Sequence, residues 1–243
     1  MAKSDNLRKA KENKNDEFYT RLEDIEAEIS QHKDYVRQFE GKTVLCNCDD
    51  PEWSNFFQFF KLHFKQLKLK KLITTHYNMD GLPSYKLEWE GEMLNDDMIN
   101  LVKTPLTGNG DFRSDECIKI LQDADIVVTN PPFSLFLQYL GQLLEYEKKF
   151  IIIGNRNSFG NNEVFNLIKD NKLWVGYSST HHMLFSVPDI YAEKIKNDPT
   201  RKEGHGQSYS IINGKVFAEV NACWYTNLEI LKHEEPLILT KNY

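Results

Sequence analysis

The sequence predicts an α/β fold built on a parallel sheet. Short apolar runs of strand character, Thr43–Cys46, Lys71–Thr75, Asp125–Thr129 and Phe150–Gly154, recur along the chain. Amphipathic helical stretches separate them, and strand, helix and strand follow one another within residues 43–75. Such a βαβ unit joins parallel strands. A chain of 243 residues with 40% hydrophobic content is long enough to bury a core, and 27% charged residues mark it as globular.

Taken in order, residues 1–15 are polar and lysine-rich and are expected to form a flexible tail before a single domain over 16–243. Thr20-Arg21-Leu22-Glu23 has the form of a capping box, and Leu22, Ile25, Ile29, Val36 and Phe39 give a broken apolar stripe, so a first helix is expected up to Gly41. After the strand Thr43–Cys46, Asp50-Pro51 reads as an N-cap followed by proline at the first helical position, with a helix through Leu67. The strand Lys71–Thr75 comes next. Weak alternation from Tyr85 to Leu106 predicts an antiparallel ribbon, with Met98–Val102 as its return. Ser114 can cap a helix ending near Leu121. The strand Asp125–Thr129 is stopped by Pro131-Pro132. A helix from Ser134 to about Tyr146, the strand Phe150–Gly154, a helix over Asn162–Lys169 and a strand over Lys172–Gly176 complete the alternating part.

The pattern then changes. Residues 178–207 are polar and irregular and hold His181, His182 and His205. Ser208–Ile212 and Lys215–Val220 flank Asn213-Gly214, a hairpin signal with a mirror-type turn. Ala222–Thr226 reads as the last strand of the main sheet. The stretch 178–216 is therefore a small polar insertion, read as the segment that contacts a target.

Composition narrows the function classes. No apolar run approaches bilayer length, and the first residues do not resemble a signal peptide, so no membrane partner is expected. Four irregularly spaced cysteines fit a reducing cytoplasm, and Cys46-Asn47-Cys48 without a second close pair does not make a tetrahedral site, so no metal is expected. A net charge of −6 argues against a protein that coats nucleic acid, while leaving room for a local basic surface. Two candidates exist: Lys61, Lys65 and Lys68 beside a phenylalanine stripe, and Lys194, Lys196, Arg201 and Lys202 within the insertion. Each also fits a merely solvated face, and that bland reading is slightly favoured by sequence alone.

The sharpest feature is Asp125-Ile126-Val127-Val128-Thr129-Asn130-Pro131-Pro132-Phe133. Open α/β sheets bind ligands at the carboxyl ends of their strands, where Asn130 to Phe133 would sit. These residues suit chemistry at an exocyclic amine such as that of adenine, a poor nucleophile because its lone pair is spread into the ring. The Asn130 side-chain carbonyl can accept a hydrogen bond from such an amine, and the Pro131 carbonyl is a second acceptor. Pro131-Pro132 holds the turn rigid, and Phe133 can stack on an extruded base. Positioning and directed hydrogen bonds would carry the rate. The plain alternative is a strand that happens to end in two prolines. Asn before the prolines and Phe after them favour the functional reading.

Asn130–Phe133 resembles the catalytic motif of adenine-amino methyltransferases. Further stretches resemble the EcoRI-type adenine-specific DNA methyltransferases: Asn15–Thr20, Val44–Pro51 with Ser54-Asn55-Phe56, Gly110–Ser114, Asp125–Phe136, Phe150–Asn155, Val187-Pro188-Asp189 and Trp224–Leu228. The resemblance implies a class I methyltransferase (Rossmann-like) fold, with a mostly parallel seven-stranded sheet and an antiparallel last strand. It implies S-adenosylmethionine as cofactor and the N6 amine of adenine in DNA as target. Phe18, Tyr19 and Thr20 would lie over the cofactor, with Thr20 also read as a helix cap. The loop Asn47-Cys48-Asp49-Asp50-Pro51 replaces the usual glycine-rich turn. There Asn47 lines the cofactor, Asp49 would take its ammonium group, and the helix start near Pro51 would favour its carboxylate. Where an acid is usual after the next strand, this chain has Thr75-His76-Tyr77-Asn78, and Tyr77 either packs on the cofactor or belongs to the core. Asp111 would accept from the cofactor's adenine and Phe112 would stack on it, with Asn130 at the junction of cofactor and target. The alternatives are methylation of RNA adenine or of a protein glutamine, where the related motif usually ends in tyrosine rather than Phe133, and a cofactor-binding protein without activity.

Overall fold

Fully buried strands need apolar residues on both faces, and this composition places the centre of the main sheet. The computed structural model describes residues 19–48, 50–78, 80–90, 101–178, 182–204 and 208–231, with only the backbone at 189–191. The expected tail, Phe18, Asp49, His181, His205 and residues 98–100 of the ribbon lie outside the described residues. In chain order the elements are β1 (Tyr19–Thr20), α1 (Leu22–Ser30), α2 (Tyr35–Phe39), β2 (Thr43–Cys46), α3 (Asn55–Leu62), β3 (Lys71–Thr75), β4 (Tyr85–Glu90) and β5 (Leu101–Pro105). They continue with α4 (Asp115–Asp123), β6 (Ile126–Thr129), α5 (Phe136–Glu145), β7 (Lys149–Asn155), α6 (Asn162–Lys169) and β8 (Trp174–Val175). The last are β9 (Met183–Ser186), α7 (Asp189–Asn197), β10 (Tyr209–Ile212), β11 (Lys215–Val220) and β12 (Ala222–Thr226).

Eight strands form the main sheet in the order β5-β4-β3-β2-β6-β7-β12-β8. The pairs β3–β2, β2–β6 and β6–β7 are parallel. Both β7 and β8 run against β12, and both β3 and β5 run against β4. Six strands therefore point one way, with β4 and the final β12 reversed. This is an α/β class I methyltransferase arrangement. Among the described residues it has eight strands rather than the expected seven, because the Tyr85–Leu106 ribbon contributes two. The residues alternate across the sheet with period two. Val44, Cys46, Ile126, Val128, Ile151, Ile153 and Trp224 face α1 and α3, and Leu45, Val127, Ile152, Cys223 and Tyr225 face α4, α5 and α6.

Within residues 178–207, expected to be irregular, the described residues form β9 and α7. The expected hairpin is present as β10 and β11, and with β9 and β1 it makes a second, antiparallel sheet of order β1-β9-β11-β10. The hairpin turn is as the sequence reads it, Asn213 and Gly214 both having positive φ. Met183 and Phe185 of β9 join the main core.

Two helix starts differ from expectation. Thr20 is not a cap, because its backbone pairs with Phe185. Helix α1 begins at Leu22 behind Arg21, whose side chain pairs with Asp24 at 3.2 Å instead of capping. Asp50 does not start α3 either. Its carboxylate closes a turn by accepting from the Glu52 N–H, and Ser54 caps the helix by accepting from the Phe57 N–H.

Candidate active site

Because β2, β3, β5 and β6 run the same way, the loops that follow them emerge along one edge of the sheet. Asn47, Tyr77, Asp111, Phe112 and Asn130 are carried on those four loops, so topology alone gathers residues scattered over 84 positions of sequence. Hydrogen bonds then hold the loops. Asn78 N–H donates to the Asn109 carbonyl at 2.7 Å, and Ser84 N–H to that of Gly108 at 2.9 Å. The Glu116 carboxylate accepts from the N–H groups of Thr107 and Gly108 at 3.0 and 3.1 Å. Gly110 packs so closely on the preceding loop that a Cβ there would lie 2.0 Å from the His76 carbonyl oxygen, and its φ of +81° already favours glycine.

The loop after β2 is built on Asn47, which is buried. Its backbone carbonyl accepts from the Thr129 hydroxyl, and its side-chain oxygen accepts from the Tyr139 hydroxyl. Asp50 lies 3.9 Å from His76 Nε2, linking this loop to the next. Tyr77 is 39% exposed at the rim, which removes its reading as a core aromatic.

Asp111 is not an open carboxylate. Arg113 donates to it from its backbone N–H and Nε, both at 2.9 Å, and from a terminal nitrogen at 2.6 Å. Burial opposes its charge, but these bonds and the guanidinium charge outweigh it and hold its pKa below the usual value. Phe112 is largely enclosed, with its ring edge-on to Tyr139 at 4.9 Å and the Arg113 guanidinium 5.5 Å away.

At the end of β6, the Asn130 side-chain oxygen is shielded from solvent and has no hydrogen-bond partner among the described residues. A buried acceptor left empty costs about 1–3 kcal/mol, so such atoms stand out in a folded protein. Pro131 is buried and Pro132 exposed, and Pro132 leads into a single 3-10 turn over Phe133–Leu135. Phe133 is half-buried against the core cluster that includes α1 and α3. Tyr19 and Thr20 reach this side through the second sheet, where the Asn55 side chain donates to the Thr20 carbonyl at 2.7 Å. The Thr20 hydroxyl oxygen is likewise buried without a partner among the described residues.

Lys194, Lys196, Arg201 and Lys202 lie on and just after α7, and Lys196 lines a cleft together with Asn55. Carboxylates attend members of this cluster: Lys196 Nζ is 3.5 Å from Glu193 and Arg201 Nε is 3.6 Å from Asp198. Sequence reasoning missed Arg113, Thr129, Tyr139 and Asn55. Tyr139 in particular lies on the apolar stripe of α5, where nothing in its spacing separates a core aromatic from a hydrogen-bond donor.

A sheet of this topology with an Asn-Pro-Pro-Phe turn after its central strand defines an adenine-amino methyltransferase class, and the relatives agree. The chain matches the family described as adenine-specific methyltransferase EcoRI over residues 6–243 and belongs to that family. It is 42% identical to the type II methyltransferase M.EcoRI of Escherichia coli, an alignment covering 98% of this chain and 72% of that protein. It is 40% identical to M.MpnI of Mycoplasma pneumoniae, covering 94% and 65%, and 41% identical to a type II methyltransferase of Mycoplasma genitalium, covering 90% and 64%. The chain thus spans roughly two thirds of the length of these relatives. No solved structure matches it. Among the described residues no helix is long and apolar enough to cross a membrane.

Proposed function

We propose that this protein transfers a methyl group from S-adenosylmethionine to the exocyclic N6 amine of adenine in DNA. The observation that carries this reading is the enclosed Asn130 side-chain oxygen at the carboxyl end of the central strand β6, which has no partner among the described residues. Family membership supports the cofactor and the base. The residues present fit S-adenosylmethionine: Thr20 has a buried hydroxyl without a partner among the described residues, and Asn47 and the Asp111-Phe112 turn lie on neighbouring loops of the same edge. Tyr77, Phe18 and Asp49 belong to the same proposed contact set.

S-adenosylmethionine supplies an electrophilic methyl on a sulfonium centre. The protein's own part is orientation. Asn130 accepts one hydrogen of the target amine and the Pro131 carbonyl accepts the other, drawing the nitrogen lone pair out of the ring plane. Phe133 stacks on the base. The rigid Pro131-Pro132 turn keeps both acceptors in place, so little reorganisation remains at the moment of transfer.

Isotope-labelled S-adenosylmethionine incubated with the protein and DNA, RNA or a glutamine peptide tests the whole reading by mass spectrometry. Label in N6-methyldeoxyadenosine is expected. Label confined to RNA adenosine or to glutamine would replace DNA as the substrate, and no label in any would leave only a cofactor-binding protein.

Two narrower results follow from the same geometry. Asp111→Ala removes an ionised acceptor from the adenine end of the cofactor, and the affinity for S-adenosylmethionine is expected to fall by about 1.5–3 kcal/mol. Unchanged calorimetric affinity in the folded variant would withdraw that contact. For the nucleic acid, the insertion at 178–216 supplies the target surface. A cleft of about 600 Å³ separates α7 from the start of α1, with Arg21, Lys196, Lys215 and Phe217 among its lining. The pairs Lys196–Glu193 and Arg201–Asp198 are at the surface, where water and salt weaken them and a phosphate can displace the carboxylate. Neutralising Lys194, Lys196, Arg201 and Lys202 together should weaken DNA binding and flatten the plot of log affinity against log salt by at least about one unit. An unaltered slope assigns the cluster to solvent and turns attention to Lys61, Lys65 and Lys68.

A further inference from the structure

Tyr139, close to the carboxyl edge, is fully enclosed, with no exposure at all. It lies one turn into α5, the helix that follows the Asn130–Phe133 segment. Its hydroxyl donates to the Asn47 side-chain oxygen, while the Thr129 hydroxyl, one residue before Asn130, donates to the Asn47 backbone carbonyl. Both acceptors of Asn47 are therefore held by the two elements that bracket the catalytic turn. The ring of the same tyrosine meets Phe112 edge-on at 4.9 Å and 87°. One side chain thus touches both the loop after β2 and the Gly110–Phe112 turn, which approach the edge from different strands. Burial pushes the Tyr139 phenol far above its ordinary pKa, so the hydroxyl stays a donor across the working pH range.

We infer that Tyr139 is a positioning residue for S-adenosylmethionine, setting the distance between the loop that takes the methionine end and the turn that takes the adenine end. The inference rests on the proposed cofactor role of those two loops. Its physical basis is that a ligand binding at two points gains from both only if their separation is held before it arrives. The hydroxyl–Asn47 bond fixes one point, the ring edge on Phe112 fixes the other, and a fully buried ring held at both ends has little freedom to let them drift.

The test is Tyr139→Phe, which keeps the ring and its packing and removes only the hydroxyl. Calorimetric titration with S-adenosylmethionine and, separately, S-adenosylhomocysteine, both without DNA, should show dissociation constants raised about 10-fold. In turnover assays the KM for the cofactor should rise by a similar factor, while kcat at saturating cofactor falls by much less. Asn47→Ala should reproduce the loss, and the double variant should bind no more weakly than the worse single one, since both break the same link. Should Tyr139→Phe prove poorly folded, Phe112→Leu, which removes the ring contact at the other end of the same link, is compared alone and combined with Asn47→Ala, and the two losses should again fail to multiply. Unchanged dissociation constants in Tyr139→Phe, or losses that multiply in the double variant, would overturn the positioning role. Failure of the wild-type protein to bind S-adenosylmethionine would overturn the cofactor reading beneath it, and the two failures are told apart by that one control.

Discussion

Asn130→Ala is expected to bind S-adenosylmethionine as the wild-type protein does and to turn over about 100- to 1,000-fold more slowly. That factor is what removing one preorganised hydrogen-bonding group from a reacting centre typically costs. The argument runs through the empty acceptor. The Asn130 oxygen is buried and unpartnered among the described residues, so the folded protein already bears the cost of desolvating it. The cost is recovered only when an amine arrives, and most fully when its lone pair points away from the ring. An interaction that grows toward the transition state appears in kcat rather than KM. Asn130→Asp offers a charged acceptor of the same shape and should retain more activity than alanine. Cofactor titration and single-turnover rates on an adenine-containing duplex decide the matter. If Asn130→Ala remains folded and transfers methyl groups within threefold of wild type, the turn is structural and the proposed mechanism is lost.

The largest stability effect is expected at Glu28, far from the chemistry. This carboxyl group on α1 is wholly buried. Its two oxygens accept from the backbone N–H groups of Tyr177 and Ser178 at 2.8 and 2.9 Å, and His32 Nε2 lies 3.5 Å away. The chain can come this close only because residue 176 is glycine: a Cβ there would sit 2.3 Å from the Glu28 Oε1. Glu28→Ala leaves donors without acceptors inside the protein and a hole where the side chain was. A loss of about 3–5 kcal/mol is expected. For a chain of this length the thermal midpoint should drop by roughly 6–20 °C. Glu28→Gln keeps one carbonyl acceptor and should lose about half as much. Denaturant and thermal unfolding measure both, and a change below about 1 kcal/mol for alanine would show that the contact is replaceable.

Where local pattern and final structure agree, the reason is that the determinant is local. Lys71–Thr75, Asn162–Lys169 and Ala222–Thr226 are the spans read from the sequence and the spans observed, because burial of nearly every strand residue, or a clear helical stripe behind an Asn161 cap, leaves no competitor. Disagreement arises where a distant segment wins. Thr20 has the form of a helix cap, yet Phe185, far along the chain, takes its backbone into a strand. The polar run after Ser178 gives no periodic signal, yet β9 forms there because its partners β1 and β11 come from opposite ends of the domain. The candidate site follows the same logic. Asn130 to Phe133 are legible because their chemistry is contiguous. The occupation of Asp111 by Arg113 is hidden, since a carboxylate and a guanidinium two residues apart give no sign of whether they will fold back on each other.

The position of β12 bears on how the chain is made as well as on how it rests. β7 ends at Asn155, and the strand that covers its outer edge ends at Thr226. Synthesis at about 5–20 residues per second leaves that edge bare for roughly 4–14 s. During this time β7 offers Phe150, Ile151, Ile152 and Ile153 in an extended run with open hydrogen-bonding groups, the form most prone to pair with another chain. β8 cannot shield it, since its register runs only to Tyr225 and Thr226 of β12. The nascent protein therefore carries an adhesive edge until β12 slides between β7 and β8, and yield during expression should depend on how quickly, and how cool, that interval is kept.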